Sequence, residues 1–482
     1  MRLSLRIISY HALLGIVATT FAACSSTRSM APALVAPQQS QAFLRKALSL
    51  DAFPAAIDAF PASLGAFPVS LNAYAACQTQ GTQAQCHTQW RSDLSANSNP
   101  ATPPSAILGY QPNDLQNAYQ IASQAASAGG DQTVGIVVAY HDPMLVPDLN
   151  VYRATFGLPA CALGVTPPIA PVGSLIGAVT GILAPPPPPN GPPPPPPPPN
   201  GPPPPPPPGA SNCLTISWAN GNANGANYFT STTPPIFNQG WAIEEELDAE
   251  MVSAICPNCS ILIVEAQDAS LQNLANAVTS AVSQHATEVS NSYSVRETPD
   301  MGQYAGHYHY KGVPITVSAG DVGYGPDFPA TVATVTAVGG ASLVQSNGTW
   351  GEAIWPGTGS GCSAFAKKPQ WQTDRGCPNR TVNDLAVVAD PATGVAGYVS
   401  YVGGWTVFGG TSVGAPIVAA MYALAENGNQ INDASELYET PNSFAPITAR
   451  SNGTCYPTYL CNGGPGYDGP SGLGMPIGLS AF

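Results

Sequence analysis

The segment Gly-Gly-Thr-Ser-Val-Gly-Ala-Pro at residues 409–416 lies between a short predicted strand, 405–408, and an apolar predicted helix from about 414 to 425. A serine on a glycine-flanked turn at a helix N-terminus is exposed, and the free N–H groups of the first helical turn can help to hold an oxyanion. Pro416 suits that first turn. A simple N-cap serine is the alternative, but the complete pattern favours Ser412 as a nucleophile.

A second segment supplies carboxylates. Residues 241–255 are predicted to form a helix whose apolar residues define one buried arc, at about 100° per residue. Glu244 falls inside that arc and Asp248 lies at its edge. Because residues i and i+4 are neighbours on a helix, these two carboxylates face one another beside apolar side chains, where desolvation and like charge raise at least one pKa. A merely solvated acidic helix is the alternative.

The same helix carries three further acidic residues. By the same geometry Glu245 and Glu246 point away from the buried arc, and Glu250 is borderline. We therefore expect Glu245 and Glu246 on the side of the helix opposite its apolar residues.

A third segment, Ser-Ala-Gly-Asp-Val-Gly-Tyr-Gly at residues 318–325, follows a predicted buried strand at 314–318. An aspartic acid can donate a hydrogen bond to an oxyanion only while it is protonated. Asp321 in that role therefore indicates a protein that works in acid, with maximal activity at roughly pH 3–5 if the carboxyl groups keep ordinary pKa values. An aspartate in an ordinary glycine-rich turn is the alternative.

Histidine is the usual base for a serine nucleophile. His11 falls in a predicted signal peptide, and none of the others lies in a His-Gly-Thr sequence. A Ser–His–Asp interpretation therefore lacks a base in a suitable context. The six histidines are His11, His87, His141, His285, His307 and His309.

Together the motifs Glu-x-x-Leu-Asp, Ser-x-Gly-Asp-x-Gly and Gly-Gly-Thr-Ser-x-x-x-Pro, in this order, resemble the sedolisin family of serine-carboxyl peptidases. The resemblance covers about 107–161 and 213–482. It implies a subtilisin-like fold and an endopeptidase. It assigns Ser412 as nucleophile, Glu244 as general base, Asp248 as the residue that orients Glu244, and Asp321 as oxyanion donor.

The resemblance also implies a structural calcium site near the C-terminus. Gly464, Gly466 and Asp468 match its later part and Ile447 its earlier part, but Pro446 stands where the family has aspartate. Loss of one carboxylate should weaken or abolish a site for a cation that prefers oxygen ligands. A second departure is Ser294, which stands where glycine is usual at the edge of the substrate-binding strand.

Alternating strands and helices from about residue 107 predict an α/β fold, a doubly wound and mainly parallel sheet flanked by helices, with disulfide-stapled loops. Residues 107–482 form the predicted peptidase domain. Residues 162–212 are a proline-rich surface insertion in it, with runs of five, eight and seven prolines. Residues 24–106 are predicted to be a spacer or a short pro-segment.

The N-terminus predicts export. Residues 1–23 combine a basic start with a short apolar stretch, and Cys24 follows in a sequence similar to a bacterial lipoprotein cleavage box. Simple secretion is the alternative to lipidation, so the expected location is the outer membrane or the extracellular space. The other ten cysteines are predicted to pair as neighbours in sequence: 77–86, 161–213, 256–259, 362–377 and 455–461.

A net charge of −14 argues against nucleic-acid binding, because a basic surface is what such binding requires. The expected partners are protein or peptide substrates, the expected contact with a membrane is through a lipid on Cys24, and a monomer is expected. The prediction is a secreted acid-acting endopeptidase. The alternatives are a non-catalytic surface-anchored protein on a peptidase scaffold and a neutral Ser–His peptidase.

Overall fold

The computed structural model describes residues 73–78, 82–94, 97–164, 211–219, 231 and 233–482. The predicted signal peptide, Cys24 and the proline runs lie outside these residues. Within the described ranges, no helix combines the length and the apolar character that crossing a membrane requires.

The described residues form twenty strands and seven α-helices, numbered in chain order. The strands are β1 (Ala73–Ala75), β2 (Gln85–Cys86), β3 (Gln89–Arg91), β4 (Thr133–Ala139), β5 (Cys161–Leu163), β6 (Ser211–Trp218), β7 (Ser260–Ala266), β8 (Glu288–Asn291), β9 (Tyr293–Arg296), β10 (Ile315–Ser318), β11 (Asp327–Phe328), β12 (Thr336–Ser346), β13 (Thr349–Ile354), β14 (Gly361–Lys367), β15 (Asn379–Val382), β16 (Leu385–Val388), β17 (Val395–Val399), β18 (Gly404–Gly409), β19 (Phe444–Ala445) and β20 (Met475–Pro476). The helices are α1 (Pro112–Ala118), α2 (Ala122–Ala125), α3 (Leu145–Thr155), α4 (Gln239–Ile255), α5 (Leu271–Ser283), α6 (Gly414–Ala425) and α7 (Ser435–Glu439).

The core of the fold is a nine-stranded sheet in the order β13-β12-β10-β8-β4-β7-β6-β5, with β16 also paired to β12. Every pair in it runs parallel except β12–β13. Strand β4, Thr-Val-Gly-Ile-Val-Val-Ala, is buried from its second residue onward, as expected for a strand covered on both faces. The predicted mainly parallel sheet with flanking helices is confirmed.

Helix α4 runs through the interior of the domain. It packs against α1, α3, α6, β4 and β17. The expectation that Glu245 and Glu246 lie away from the buried side is wrong, because both are at most 1% exposed. A helix with a single buried arc would leave these two glutamates exposed, but here neighbouring elements cover the helix on all faces.

The first two helices are separated by a break. Gln120, which lies between α1 and α2, adopts a left-handed φ of 58°. Helix α1 begins with proline at its first position and a capping box between Gln111 and Asp114.

All five predicted cysteine pairs are disulfide-bonded. Cys256–Cys259 closes the short turn between α4 and β7. Cys161–Cys213 joins β5 to β6, which are parallel neighbours at one edge of the central sheet, although the two cysteines are 52 positions apart in sequence.

Part of the predicted spacer or pro-segment packs onto the domain. Strands β1 and β3 belong to an antiparallel sheet in the order β1-β3-β18-β17, and β2 pairs with β9 in a second antiparallel sheet, β11-β9-β2. Strand β18, which leads into the Ser412 turn, therefore lies outside the central sheet. The segment between β2 and β3 runs directly over this turn.

Candidate active site

Ser412 lies on the turn between β18 and α6. Gly410, two residues earlier, has a left-handed φ of 94°, and a Cβ there would come within 1.8 Å of the His87 carbonyl oxygen. Only glycine fits such a position without displacing its neighbour. The Ser412 hydroxyl donates to the Ser292 carbonyl oxygen at 3.4 Å and accepts from the His87 N–H at 3.1 Å. The expectation of an exposed serine is wrong here, because Ser412 has no exposed surface.

Helix α4 brings Glu244 and Asp248 to this turn, one helical turn apart. Glu244 Oε2 accepts from the Thr88 N–H at 2.9 Å, and Asp248 Oδ1 accepts from the Ser292 hydroxyl at 2.8 Å. Burial raises the pKa of Glu244 to about 8, and contacts with Ser412 and Thr88 offset part of that effect. Burial, followed by the negative charge of Glu244, holds the pKa of Asp248 well above its usual range.

Asp321 follows β10 and reaches the same turn from the other side. Its Oδ1 accepts from the N–H and the hydroxyl of Thr411, each at 2.8 Å, and its Oδ2 accepts from the Gln89 side chain at 2.8 Å. Desolvation raises the pKa of Asp321 to about 7, and the bonds from Thr411 and Gln89 act against that rise. This carboxyl group is therefore mostly protonated in acid.

The structure thus places all four predicted catalytic residues, Ser412, Glu244, Asp248 and Asp321, around a single turn. Their chemical roles stay predictions. Sequence reasoning missed Ser292, whose hydroxyl bonds to Asp248 and whose carbonyl accepts from Ser412. It also missed Thr411, which holds Asp321. Their position next to predicted site residues was the signal that could have identified them.

The residues that lead from β2 into β3 contact three of these four residues. Gln85 lies opposite Ser294 and Cys86 opposite Tyr293 in the antiparallel β2–β9 pair. The next three residues then follow the site: the His87 N–H bonds to Ser412, the Thr88 N–H to Glu244, and the Gln89 side chain to Asp321. Residues 85–89, here called the cleft segment, therefore lie where a peptide would meet the nucleophile.

The His87 side chain lies in a polar pocket beside Ser412. Its Nδ1 bonds to the Ser318 hydroxyl at 2.8 Å and its Nε2 to the Ser294 hydroxyl at 2.8 Å. Burial lowers the pKa of His87 to about 3. Both ring nitrogens thus bond to serines other than Ser412, so the ring is not placed as its base.

The remaining described histidines lie elsewhere. His141 Nδ1 bonds to Glu265 at 2.8 Å, and His307 Nδ1 bonds to the Thr279 hydroxyl at 2.8 Å. The Ser412 hydroxyl bonds to the Ser292 carbonyl and to the backbone N–H of His87, and it also contacts the Glu244 carboxyl.

A second group of carboxyls lies behind the site, on the other side of α4. Glu245 is next to Glu265, and Glu246 is next to Asp142. Within the described residues, the side-chain partners of Glu245 and Glu246 are other carboxyl groups, Glu265 for the first and Asp142 for the second. Burial, followed by the negative charge of these neighbours, holds the pKa values of both glutamates well above their usual range, and burial raises that of Asp142 to about 7.

The predicted calcium-site residues fit a cation poorly. Asp468 Oδ1 accepts from the N–H and the hydroxyl of Ser471 at 2.9 and 2.8 Å, and its Oδ2 accepts from the Gly464 N–H at 2.9 Å. Pro446 offers no carboxylate. A calcium ion needs six to eight oxygen ligands, so we assign no step to such an ion. Ile447 is buried and Gly466 has a φ of 83°.

No family model matches the chain. Over 277 residues it is 32% identical to kumamolisin of Bacillus sp. (strain MN-32), which is 49% of this chain and 49% of that protein. Over 200 residues it is 30% identical to sedolisin of Pseudomonas sp. (strain 101), which is 34% of this chain and 33% of that protein. The chain thus matches about half the length of kumamolisin and about a third of the length of sedolisin.

A solved structure supports the fold. Pseudomonas sedolisin, a serine-carboxyl proteinase complexed with two molecules of pseudo-iodotyrostatin, superposes with a TM-score of 0.53 at 20% identity over 77% of this chain and 96% of that chain. The fold is therefore the subtilisin-like α/β fold. A serine and several carboxyl groups meet at the turn between β18 and α6. In sequence the chain is thus similar to kumamolisin and sedolisin over part of its length, and in fold it is similar to Pseudomonas sedolisin.

Proposed function

We propose that this protein is an exported, acid-acting serine-carboxyl endopeptidase. The observation that carries the proposal is the meeting of Ser412, Glu244, Asp248 and Asp321 around one turn, joined by hydrogen bonds through Ser292 and Thr411. Substrates are proteins or peptides. The proposed location, in the outer membrane through a lipid on Cys24 or in the extracellular space, rests on the N-terminal sequence. We expect the protein to act as a monomer.

The reaction follows from the chemistry of these groups. Ser412 Oγ attacks the carbonyl carbon of the scissile peptide bond while its proton passes to Glu244. Protonated Asp321 donates to the developing oxyanion. The C–N bond then breaks, and Glu244 gives the proton to the leaving nitrogen. Water then attacks the acyl carbon while Glu244 takes its proton. The bond to Ser412 Oγ breaks, Glu244 returns the proton to Ser412, and the acyl product leaves as a carboxylic acid.

Asp248 serves this sequence through Glu244. Two buried carboxyls one helical turn apart cannot both ionise cheaply, so the state of the pair with one proton and one charge is the one in which Glu244 can accept the Ser412 proton. The Ser292 hydroxyl, which donates to Asp248, favours charge on Asp248 when Glu244 carries the transferred proton.

The cleft segment, which belongs to residues 24–106, lies against the nucleophile. This position favours the interpretation of residues 24–106 as a pro-segment rather than a spacer. The cleft segment uses the N–H groups of His87 and Thr88 to bond to the nucleophile and to the base. A substrate cannot bind while those contacts persist. The protein described here is therefore a latent form.

The decisive experiment is hydrolysis of an unstructured protein substrate from strong acid to mildly alkaline pH by the purified chain and by Ser412→Ala. Once the cleft segment is displaced, the chain should cut in acid and the variant should not. In parallel, His87→Ala should raise kcat/KM at least tenfold, while Gln85→Ala, whose side chain bonds to the Cys77 carbonyl within the same loop, should leave it within threefold. Absence of hydrolysis by all four proteins at every pH would favour the non-catalytic alternative.

Removal of calcium should change little. Addition of a strong chelator should leave the melting temperature and the rate of peptide hydrolysis unchanged, because the oxygens of Asp468 already accept bonds from the protein. A fall of more than a few degrees that added calcium restores would contradict the poor fit of this site.

A further inference from the structure

Residues 85–89 show which peptide bond the site presents to its nucleophile. The register of β2 against β9 places Cys86 opposite Tyr293. The next residue, His87, then donates its backbone N–H to Ser412 Oγ at 3.1 Å. The nitrogen of the next residue, Thr88, donates to Glu244 Oε2 at 2.9 Å. Glu244 is the group that would protonate the leaving nitrogen. His87 therefore occupies the position on the acyl side of the scissile bond, and Thr88 the position on the leaving side.

The pocket of His87 is built from polar groups that are themselves buried. Ser294 is 4% exposed and Ser318 has no exposed surface. Ser294 Oγ donates to Asp327 Oδ2 at 3.2 Å. While Asp327 is ionised it can only accept, so the one hydroxyl proton of Ser294 goes to Asp327. Ser294 then accepts from the ring, and Nε2 carries the hydrogen. Nδ1 then accepts from the Ser318 hydroxyl.

This proton count distinguishes imidazole from other side chains. One ring N–H meets one acceptor and one ring lone pair meets one donor, so neutral histidine leaves none of the three groups without a partner. An aliphatic side chain would leave both buried hydroxyls without their ring partners. A lysine would bring a charge that requires desolvation. A histidine has to enter without its second proton, so its advantage should be greatest above its ordinary pKa of about 6.5 and should shrink in acid. Leaving one buried polar group unpaired typically costs about 1–3 kcal/mol, or roughly five- to 150-fold in binding.

We infer that Ser294, Ser318 and the groups behind them form a specificity pocket that selects histidine on the acyl side of the scissile bond. The inference rests on the proposed peptidase function and names its substrate class. It gives a role to Ser294, the serine that stands where the family usually has glycine. It also makes His87 an internal example of the preferred residue.

The first test measures binding without catalysis. The double variant His87→Ala/Ser412→Ala empties the pocket and prevents cleavage. Labelled peptides with the sequence of residues 84–90, carrying Cys86→Ser and either histidine, asparagine, leucine or lysine at the central position, are titrated by fluorescence anisotropy. The measurement uses the most alkaline pH at which circular dichroism shows the variant folded. The tethered segment competes equally with all four peptides.

We expect the histidine peptide to bind at least tenfold more tightly than the leucine peptide. Adding Ser294→Ala or Ser318→Ala should reduce that ratio to less than threefold. The matched control is Ser290→Ala on β8, a buried serine with no bond to His87, which should preserve the ratio. Equal binding of the histidine and leucine peptides, or an unchanged ratio in Ser294→Ala, overturns the pocket.

The second test separates failure of the pocket from failure of the proposed function. His87→Ala with Ser412 intact is given the same peptides, and the products are identified by mass. Cleavage after histidine supports both proposals. Cleavage with no preference for histidine overturns the pocket and leaves the peptidase. A binding preference without any cleavage at any pH overturns the peptidase and leaves a histidine-binding pocket.

Discussion

Helix α4 presents carboxyl groups to two sides of the interior, and the two sides differ in what faces them. On one side Glu244 and Asp248 meet Ser412, Ser292 and a peptide N–H. On the other side Glu245 and Glu246 meet Glu265 and Asp142. Burial raises the pKa values on both sides. A raised pKa therefore does not by itself mark a reacting group here; the neighbouring hydroxyl does.

The largest effect should separate Glu244 from Glu245, which are adjacent and equally buried. Glu244→Gln keeps the shape of the side chain and cannot take the Ser412 proton, so kcat should fall by about 10²–10⁴-fold. Glu245→Gln should keep kcat within about threefold. Both are measured with the preparation that cleaves peptides in acid. Equal losses in the two variants would erase the distinction between the two sides of α4.

The next effect concerns Asp321, whose carboxyl must be protonated to donate. Because its pKa is about 7, kcat/KM should decline as pH rises through that region. Asp321→Asn keeps a donor that does not titrate, so it should retain part of the activity and extend the profile to higher pH. Asp321→Ala should lose about 10²–10³-fold. Wild-type activity in Asp321→Ala at every pH would remove this residue from the mechanism.

A smaller effect should appear in stability, on the side of Glu245 and Glu246. Their folded pKa values lie above ordinary unfolded values of about 4.3, so the folded state binds more protons than the unfolded state. The stability that depends on these protons is fully present below about pH 4. It is lost as pH rises through the pKa values that these groups have in the folded state. The folded pKa of the neighbouring Asp142 is about 7.

The melting temperature of the wild type should therefore fall between about pH 4 and pH 8. The variant Glu245→Gln/Glu246→Gln should show a flatter curve, because amides need no proton to stay neutral. Scanning calorimetry over this pH range tests both statements. A melting temperature that rises toward neutral pH in the wild type would mean that the cluster is ionised and solvated in the folded state.

The smallest effect should come from His141, which bonds to Glu265 in the group of carboxyls around Glu245 and Glu246. His141→Gln keeps a hydrogen-bonding group near Glu265, so kcat in acid should stay within threefold of the wild type. Stopped assays at pH 4 are sufficient. A variant as inactive as Ser412→Ala would return histidine to the list of candidate bases.

Much of this site could be predicted from local sequence. The turn at 409–416, the i and i+4 spacing of Glu244 and Asp248, and the glycine-rich turn after β10 each specify local geometry, and the sequential cysteine pairs were also predicted correctly. Burial of Glu245 and Glu246 could not be predicted, because it depends on helices and strands from distant parts of the chain that cover α4. The cleft segment was missed for a similar reason: Gln85–Cys86 is too short to show a strand pattern, and its partner β9 is more than 200 residues away.

The disulfide between β5 and β6 has a consequence for how the chain can change length. Cys161 and Cys213 close the residues between them into a covalent ring, in the unfolded chain as well as in the folded one. For an ordinary loop, each doubling of length adds about 0.6 kcal/mol to the entropy lost on folding. Here the ends are already joined before folding begins, so that term nearly cancels. Lengthening or shortening the ring should thus be close to neutral for stability, which makes this edge of the sheet a permissive place to insert a foreign peptide or a reporter domain.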